Sequence, residues 1–373
     1  MRPRTAALAL LALALPLGAQ DPDLESRILE VYKPGRTAPA NGPAQPVHAS
    51  VGAPALSLPR DAGAHLDAPR ERWSLKGVLQ GPSGQRLPFQ VTFQRRRLGT
   101  ASEEGPWSRT QVLTARAALC LSSGRRILQA DRRARLGLAA EAAEDRLRLR
   151  CDGWSLLDGP DGRLDLLLSL PEGRVRLTLK TSGEPISLPG IDGRDPMRRT
   201  LRPGLETEGQ LELQGQVPQS LKGRATLLQE WGPDLGEDQP GWDQGLFQLR
   251  DGRTWVYLNL RPTGGHTSSR AILVEVDAQG RLVRAQREPI ISQRKTWQSS
   301  ISGVRYPVSL QFQAWNQILT LEPLADNQEL RTHWTAGSAL WSGACRARDG
   351  RSDDAGDAFL ELAGYAHSMR NRF

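Results

Sequence analysis

Apolar side chains fall on every second position through much of this chain. Trp73, Leu75 and Leu79 lead into the turn Gly81-Pro82-Ser83-Gly84, and Leu87, Phe89, Val91 and Phe93 then alternate with polar neighbours. Successive strand residues point to opposite faces, so this spacing predicts a β-hairpin with one buried face. Leu164, Leu166, Leu168 and Leu170 repeat the pattern and face Val175, Leu177 and Leu179 across Pro171-Glu172-Gly173. Further strands are predicted at Leu113 to Leu121, at Leu147 to Cys151, and from Leu211 and Leu213 onward. Ala271 to Val276, Val308 to Phe312, Ile318 to Leu321, Ala339 to Ala344 and Phe359 to Leu362 continue the series. One stretch reads both ways: the Ala, Leu and Glu content from Ile127 to Glu144 suits a helix, while Gly137 interrupts it. Short strands separated by turn signals, with no long helical period, predict an all-β protein of antiparallel barrels or sandwiches.

Turn residues concentrate from Ser187 to Gly204, where Pro189-Gly190, Asp192-Gly193, Asp195-Pro196 and Pro203-Gly204 follow one another. That density predicts a domain boundary, with a first domain over 57–195 and a second over 205–373. The start of the chain differs from both. Met1-Arg2-Pro3-Arg4 precedes an apolar run from Ala6 to Leu15, and small residues lead up to Asp21. A basic start, a short apolar segment and small residues predict a secretory signal peptide over 1–20 and a periplasmic or secreted protein. Asp21 to Tyr32 has apolar residues near helical spacing, and Lys33 to Pro54 is a Pro/Ala-rich linker, so 21–56 forms an N-terminal segment. The apolar run falls well short of the ~20 residues a membrane-spanning helix needs, and no later stretch is apolar enough.

Charge and cysteine content narrow the classes further. The formal charge is +8 over 373 residues. Arg95-Arg96-Arg97, Arg132-Arg133 and Arg198-Arg199 are scattered along the chain, which favours solvated strand ends over a nucleic-acid surface. Cys120, Cys151 and Cys345 form neither a metal-ligand set nor a disulfide framework; Cys120 and Cys151 are either paired or two buried thiols. The histidines, His48, His65, His266, His333 and His367, lack ligand spacing, so neither a metal nor a cofactor is expected.

Aromatic and polar residues alternate most densely from Gln229 to Arg261. Gln229 and Trp231 share one strand face, Tyr257 and Asn259 share another, and Gly241-Trp242-Asp243 lies between them. If those faces line a barrel interior, they make an aromatic pocket with a few polar groups, the usual composition of a small-molecule site. Trp73, Trp154 and Trp242 are expected to fill cores. Glu230, on the opposite face from Gln229 and Trp231, is expected outside the barrel or in an ion pair.

The order of several motifs resembles the AttH/CrtC-like family, the lipocalin-like proteins that include carotenoid 1,2-hydratases. The motifs in the first half are Pro59-Arg60-Asp61-Ala62-Gly63-Ala64-His65, Glu71-Arg72-Trp73 and Phe89-Gln90-Val91-Thr92-Phe93. Leu188-Pro189-Gly190-Ile191-Asp192-Gly193 resembles the boundary between the family's two barrels. Glu230-Trp231, Gly241-Trp242-Asp243, Trp297-Gln298-Ser299, Asn327-Gln328-Glu329-Leu330 and Glu361-Leu362-Ala363-Gly364-Tyr365 follow in order. The resemblance implies two consecutive lipocalin-like β-barrels.

It also implies a chemistry with which this chain only partly agrees. Adding water to an isolated C=C bond requires a positioned acid, and aromatic faces can shield the resulting cation. Hydratases of the family carry an Asp-His-Glu-Trp strand and a Tyr-x-Asp strand. The matching positions here are Leu228-Gln229-Glu230-Trp231 and Tyr257-Leu258-Asn259. Trp231 and Tyr257 keep the aromatics, but Gln229 and Asn259 are amides, which hydrogen-bond without exchanging a proton near neutral pH. Trp341-Ser342-Gly343 replaces a Trp-Glu-Gly, and Arg116 stands where a histidine is common. The expectation is therefore an exported protein that binds an isoprenoid or lipid through Gln229, Trp231, Tyr257 and Asn259. A hydro-lyase using Asp243 as its acid, with Glu329 and Glu361 as further carboxylates able to reach the lumen, is the alternative. The resemblance also implies a third reading, an interaction partner of an envelope ABC transporter.

Overall fold

The computed structural model describes residues 53–98, 110–121, 126–180, 183–233, 241–261, 270–330 and 340–365. The signal peptide, nearly all of the N-terminal segment, and His48, His266, His333 and His367 lie outside them. The described chain is built almost wholly of antiparallel strands in two sheets. The first contains β1 (Arg70–Gln80), β2 (Arg86–Leu98), β3 (Thr110–Leu121), β4 (Arg126–Arg135), β5 (Ala140–Ala142), β6 (Arg148–Cys151), β7 (Trp154–Asp158), β8 (Leu164–Leu170), β9 (Gly173–Lys180), β10 (Ile186–Ser187), β11 (Arg198–Leu213) and β12 (Gln219–Gly232). Its order is β4-β3-β2-β1-β12-β11-β9-β8-β7-β6-β5, with β10 beside β11. The second contains β13 (Gly241–Leu249), β14 (Thr254–Arg261), β15 (Arg270–Val276), β16 (Leu282–Arg287), β17 (Ile290–Gln298), β18 (Arg305–Ala314), β19 (Gln317–Pro323), β20 (Glu329–Leu330), β21 (Leu340–Asp349) and β22 (Asp354–Ala363). Its order is β16-β15-β14-β13-β22-β21-β19-β18-β17, with β20 beside β21. The first sheet curls into a nearly closed barrel and the second into a half-barrel, a lipocalin-like pair.

The predicted hairpins are present. Trp73 lies opposite Phe93 in the β1–β2 pair, and Leu168 opposite Val175 in the β8–β9 pair. The ambiguous stretch resolves into strands β4 and β5 around Gly137, whose φ of +82° suits a residue without a Cβ. Inward side chains of the first barrel, Trp73, Leu75, Phe89, Phe93, Trp154 and Leu227 among them, form one core. Phe247, Trp255, Tyr257, Phe312, Trp341 and Leu360 belong to the second. Cys120, Cys151 and Cys345 are buried free thiols, so Cys120 and Cys151 do not pair; burial pushes Cys120 up to about 11 and Cys151 to about 12.

Strand pairing divides the chain later than the turn residues suggest. β12 pairs with β1 from Arg70↔Gly232 to Gln80↔Lys222, so both β11 and β12 belong to the first sheet. The change from one sheet to the other falls between Gly232 and Gly241, not within 196–204. The reason is closure: a strand from beyond the turn-rich segment returns to cover the free edge of β1. The turn-rich segment has another role. Leu188 and Ile191 enter a third apolar cluster with Leu201 and Leu228 of the first sheet and Leu246, Val256, Leu258 and Phe359 of the second. Asp192 also accepts hydrogen bonds from Arg270. The segment therefore fills the seam where the outward faces of the two sheets meet.

Candidate functional site

Strand alternation sends Gln229 and Trp231 into the first barrel and Glu230 outward, as the sequence predicts. At that end of the barrel the segment before β1 supplies polar partners. His65 stacks on Trp231 with ring centres 3.9 Å apart and planes 7° from parallel. Its Nδ1 lies 2.8 Å from Glu71 Oε1 and its Nε2 3.2 Å from Asp61 Oδ1. Gln229 Nε2 donates to the same Glu71 oxygen and to the Gly63 carbonyl. Arg95 donates to the carbonyls of His65 and Ala68. Asp61, His65, Glu71, Arg95 and Gln229 are all buried. Burial works to raise the Asp61 carboxyl, but the Ser57 amide, His65 and Arg198 together hold it below its ordinary value.

Tyr257 and Asn259 belong to the other barrel. Tyr257 is buried against Phe312 in an edge-on contact. Asn259 Nδ2 donates to Asp243 Oδ2 at 3.0 Å, while Asp243 Oδ1 accepts from Arg261 Nε and from the Tyr365 hydroxyl. The Arg261 guanidinium also sits 3.7 Å from the centre of the Tyr365 ring. The four residues expected to line one pocket are thus divided between two lumens, because the chain crosses to the second sheet between Trp231 and Tyr257.

A cavity of about 70 Å³ lies between the sheets at the end where β12 gives way to β13. Its polar wall includes Arg72, Gln94, Arg199, Glu230 and Gln244; Ile191, Met197, Leu258, Leu260 and the Trp242 ring supply apolar surface. Glu71 reaches it from the first barrel, Asp243 and Asn259 from the second. Of the residues singled out in the sequence, Asn259 and Asp243 line this cavity, whereas Gln229, Trp231 and Tyr257 do not. Trp242 was expected to fill a core; it is partly exposed here, with the Arg72 guanidinium 5.6 Å from its ring centre.

Arg72 joins the two sheets at this site. It donates to Glu230 of β12 and, across the seam, to Gln244 of β13 and Glu361 of β22. Arg199 holds the other Glu230 oxygen at 2.9 Å and pairs with Asp195. Lys76 Nζ and Trp242 Nε1 complete the surroundings of Glu361. Burial works to raise both carboxyls, but the cations outweigh it: Arg72 and Arg199 hold Glu230 at about 2, and Arg72, Lys76 and Arg116 hold Glu361 well below the usual carboxylate range. Burial also depresses the Lys76 ammonium, with Glu361 opposing it and Arg72 adding to it. Glu361, expected to reach the lumen, instead lies between the sheets. Glu329 does face the second lumen, where it accepts from Ser299, Ser302 and Tyr306.

Two features escaped the strand pattern. His65 comes from a loop and approaches Trp231 from more than 160 positions away in sequence, and its signal was the Asp61-to-His65 motif preceding Glu71. Arg72 sits in the Glu71-Arg72-Trp73 motif that follows, but nothing local announces that it spans two sheets. Among the described residues, no group of three His, Cys, Asp or Glu is placed to hold a metal ion, and no helix is long and apolar enough to cross a membrane.

This architecture has known counterparts. A protein assigned to AttH from Nitrosomonas europaea is similar over 86% of this chain and 100% of its own, with a TM-score of 0.71 at 25% identity. Kievitone hydratase from Nectria haematococca shares the fold over 84% of this chain and 94% of its own, with a TM-score of 0.61 at 10% identity. No curated protein matches the chain. The sequence matches the AttH-like family over residues 49–365, a span that takes in both barrels and the seam between them. The chain belongs to the AttH-like family.

Proposed function

We propose that this AttH-like protein is an exported binder of a hydrophobic or amphiphilic small molecule, of the isoprenoid or lipid type, and that the cleft between its sheets receives it. An apolar wall facing a few fixed polar groups is the usual form of such a site. At about 70 Å³ the cavity has room for the head of such a ligand and not for a whole polyene. Of the residues expected from sequence, Asn259 and Asp243 belong to this site; Gln229, Trp231 and Tyr257 lie outside its lining, Gln229 touching it through its hydrogen bond to Glu71.

The observation that carries binding over hydration is the state of the carboxylates. Protonating an isolated double bond needs an acid that still holds its proton. Arg72 and Arg199 hold Glu230 ionised, at about 2, and Glu361 is likewise held well below the usual carboxylate range. Asp243 already accepts from Arg261, Asn259 and Tyr365. Tryptophan-quenching titrations and mass spectrometry of organic extracts from the purified protein test the reading. A co-purifying lipid or isoprenoid is expected, and Leu258→Arg should weaken rebinding about tenfold, in line with burying a charge against an apolar wall. Empty extracts together with unquenched fluorescence would sink it.

One observation favours a second reading, a hydro-lyase. His65, set between Asp61 and Glu71 on the Trp231 ring, restores an imidazole to the neighbourhood of Gln229. Turnover of an acyclic carotenoid that disappears in His65→Gln while the fold persists would establish that reading, and absence of turnover in the wild type would remove it. Export rests on the first twenty residues, and a periplasmic or secreted form beginning near Asp21 is the result expected from intact-mass measurement.

A further inference from the structure

Arginines that are scattered in sequence are gathered by strand register. Arg70 of β1 lies opposite Arg96 of β2, Arg96 opposite Val112 of β3, and Val112 opposite Arg135 of β4. Residues directly opposite share a face of a sheet, so Arg70, Arg96 and Arg135 stand in one row across four strands. That face is the outward one: Leu113 and Ala134, one position along from Val112 and Arg135, belong to the barrel core. The adjoining row carries Arg72, Gln94, Thr114 and Arg133. Arg72 is taken up by Glu230 and Glu361, whereas Arg133 is exposed.

Two further observations set this face apart. Arg86, Arg148, Arg176, Arg250 and Arg348, on other faces, each hold a carboxylate. Among the described residues, no carboxylate pairs with Arg96 or Arg133, and Asp131, on the next row, lies opposite Arg116. Apolar side chains also flank the row. Leu98 ends β2 opposite Thr110, and the Leu136 amide, just beyond β4, donates to the Gln111 carbonyl, which brings the turn bearing Leu138 to the same end. Leu138 is 72% exposed and Leu98 38%. Guanidinium groups beside exposed leucines suit the surface of a bilayer, where lipid phosphates take the cations and the headgroup layer takes the apolar side chains. A nucleic acid or an acidic protein would take the arginines and leave the leucines in water.

We propose that this outward face of β1–β4 docks on an anionic phospholipid bilayer, with Arg70, Arg96, Arg133 and Arg135 on lipid phosphates and Leu98 and Leu138 in the headgroup layer. The docking does not depend on the cleft being a ligand site. Arg70 and Gln94 belong both to this face and to the lining of the cleft cavity, so the docked protein holds that cavity beside the lipid.

The test is co-sedimentation of the purified protein with vesicles of mixed phosphatidylglycerol and phosphatidylcholine, and with vesicles of phosphatidylcholine alone. Binding to the anionic vesicles only is expected, falling steeply between about 0.05 M and about 0.5 M salt. Arg96→Gln combined with Arg133→Gln should weaken it about tenfold or more. The melting temperature should not change, since neither arginine holds a carboxylate. Arg224→Gln combined with Arg351→Gln removes the same charge from exposed positions off this face and should leave binding unchanged. Leu98→Ser combined with Leu138→Ser should weaken vesicle binding and leave capture of a soluble polyanion, polyphosphate, as it was. Absence of binding to anionic vesicles, or equal binding to both vesicle types, would overturn the proposal. Equal losses in the two arginine pairs would assign the effect to net charge and overturn it as well. Vesicle binding untouched by the leucine substitutions would reassign the face to soluble polyanions and overturn the bilayer.

Discussion

The two barrels end in polar clusters of opposite design. In the first, a loop-borne imidazole is set between Asp61 and Glu71, stacked on Trp231, with Arg95 and Gln229 closing the surroundings. In the second, Asp243 is central and Asn259 and Arg261 of β14 converge on it with Tyr365, just beyond β22. The first is assembled from a distant segment folded back over the barrel end; the second comes mainly from one hairpin, β13–β14, and the end of β22. Both reach the cleft, the first through Glu71 and the second through Asp243 and Asn259. A pocket between two barrels can thus be lined by inward residues of each while its ion-paired wall comes from their outward faces. The comparison also shows how the chain keeps carboxylates buried: each is surrounded by fixed donors.

Removing the central carboxylate from each cluster is the sharpest way to break the comparison. Glu71→Ala should cost about 3–5 kcal/mol, because Arg95 and His65 would both be left buried beside an empty site. Asp243→Ala should cost roughly half as much, since Arg261 keeps the Ala363 carbonyl and the Tyr365 ring. Urea unfolding of the two variants would measure this, and equal losses would show that the loop-borne cluster is no more tightly coupled than the hairpin one.

Acid titration probes the ion-paired wall that both clusters share. The folded-state pKa of Glu230, about 2, lies below its ordinary value of 4.5, so its stabilising contribution is fully present above pH 4.5 and is lost as pH falls through about 2. Glu361 acts in the same direction. For Glu230 alone the loss is on the order of 3 kcal/mol. Chemical denaturation between pH 5 and 2 should show a steep decline that Glu230→Gln flattens; a flat wild-type profile would contradict the pairing. The smallest effect serves as a control away from both clusters. Arg250→Ala removes a largely exposed partner of Asp354 and should move stability by no more than about 0.5 kcal/mol.

Alternation made the strands legible. Trp73 to Phe93 and Leu164 to Leu179 pair as their spacing predicts, because a half-buried strand records its two faces in sequence. It also placed Glu230 outside and Gln229 and Trp231 inside. What it could not record is which distant strand lies alongside. The β1–β12 pairing joins residues about 150 positions apart, and only that pairing shows that Trp231 and Tyr257 occupy different barrels. For the same reason His65 and Arg72 were visible as motif residues but not as site residues: one acts through a loop folded back on the barrel, the other across a seam.

The partnership of β1 with β12 has a consequence for how the protein is made. The first barrel begins at Arg70 but cannot cover the edge of β1 until Gly232 has left the ribosome. Until then β1 stands as a free edge, and β9 does so until β11 pairs with it, each open to pairing with other chains. A fold whose first strand waits for its last has high contact order and forms slowly. A fragment ending at Gly204 should therefore aggregate, whereas one ending just beyond Gly232 has every strand its barrel requires.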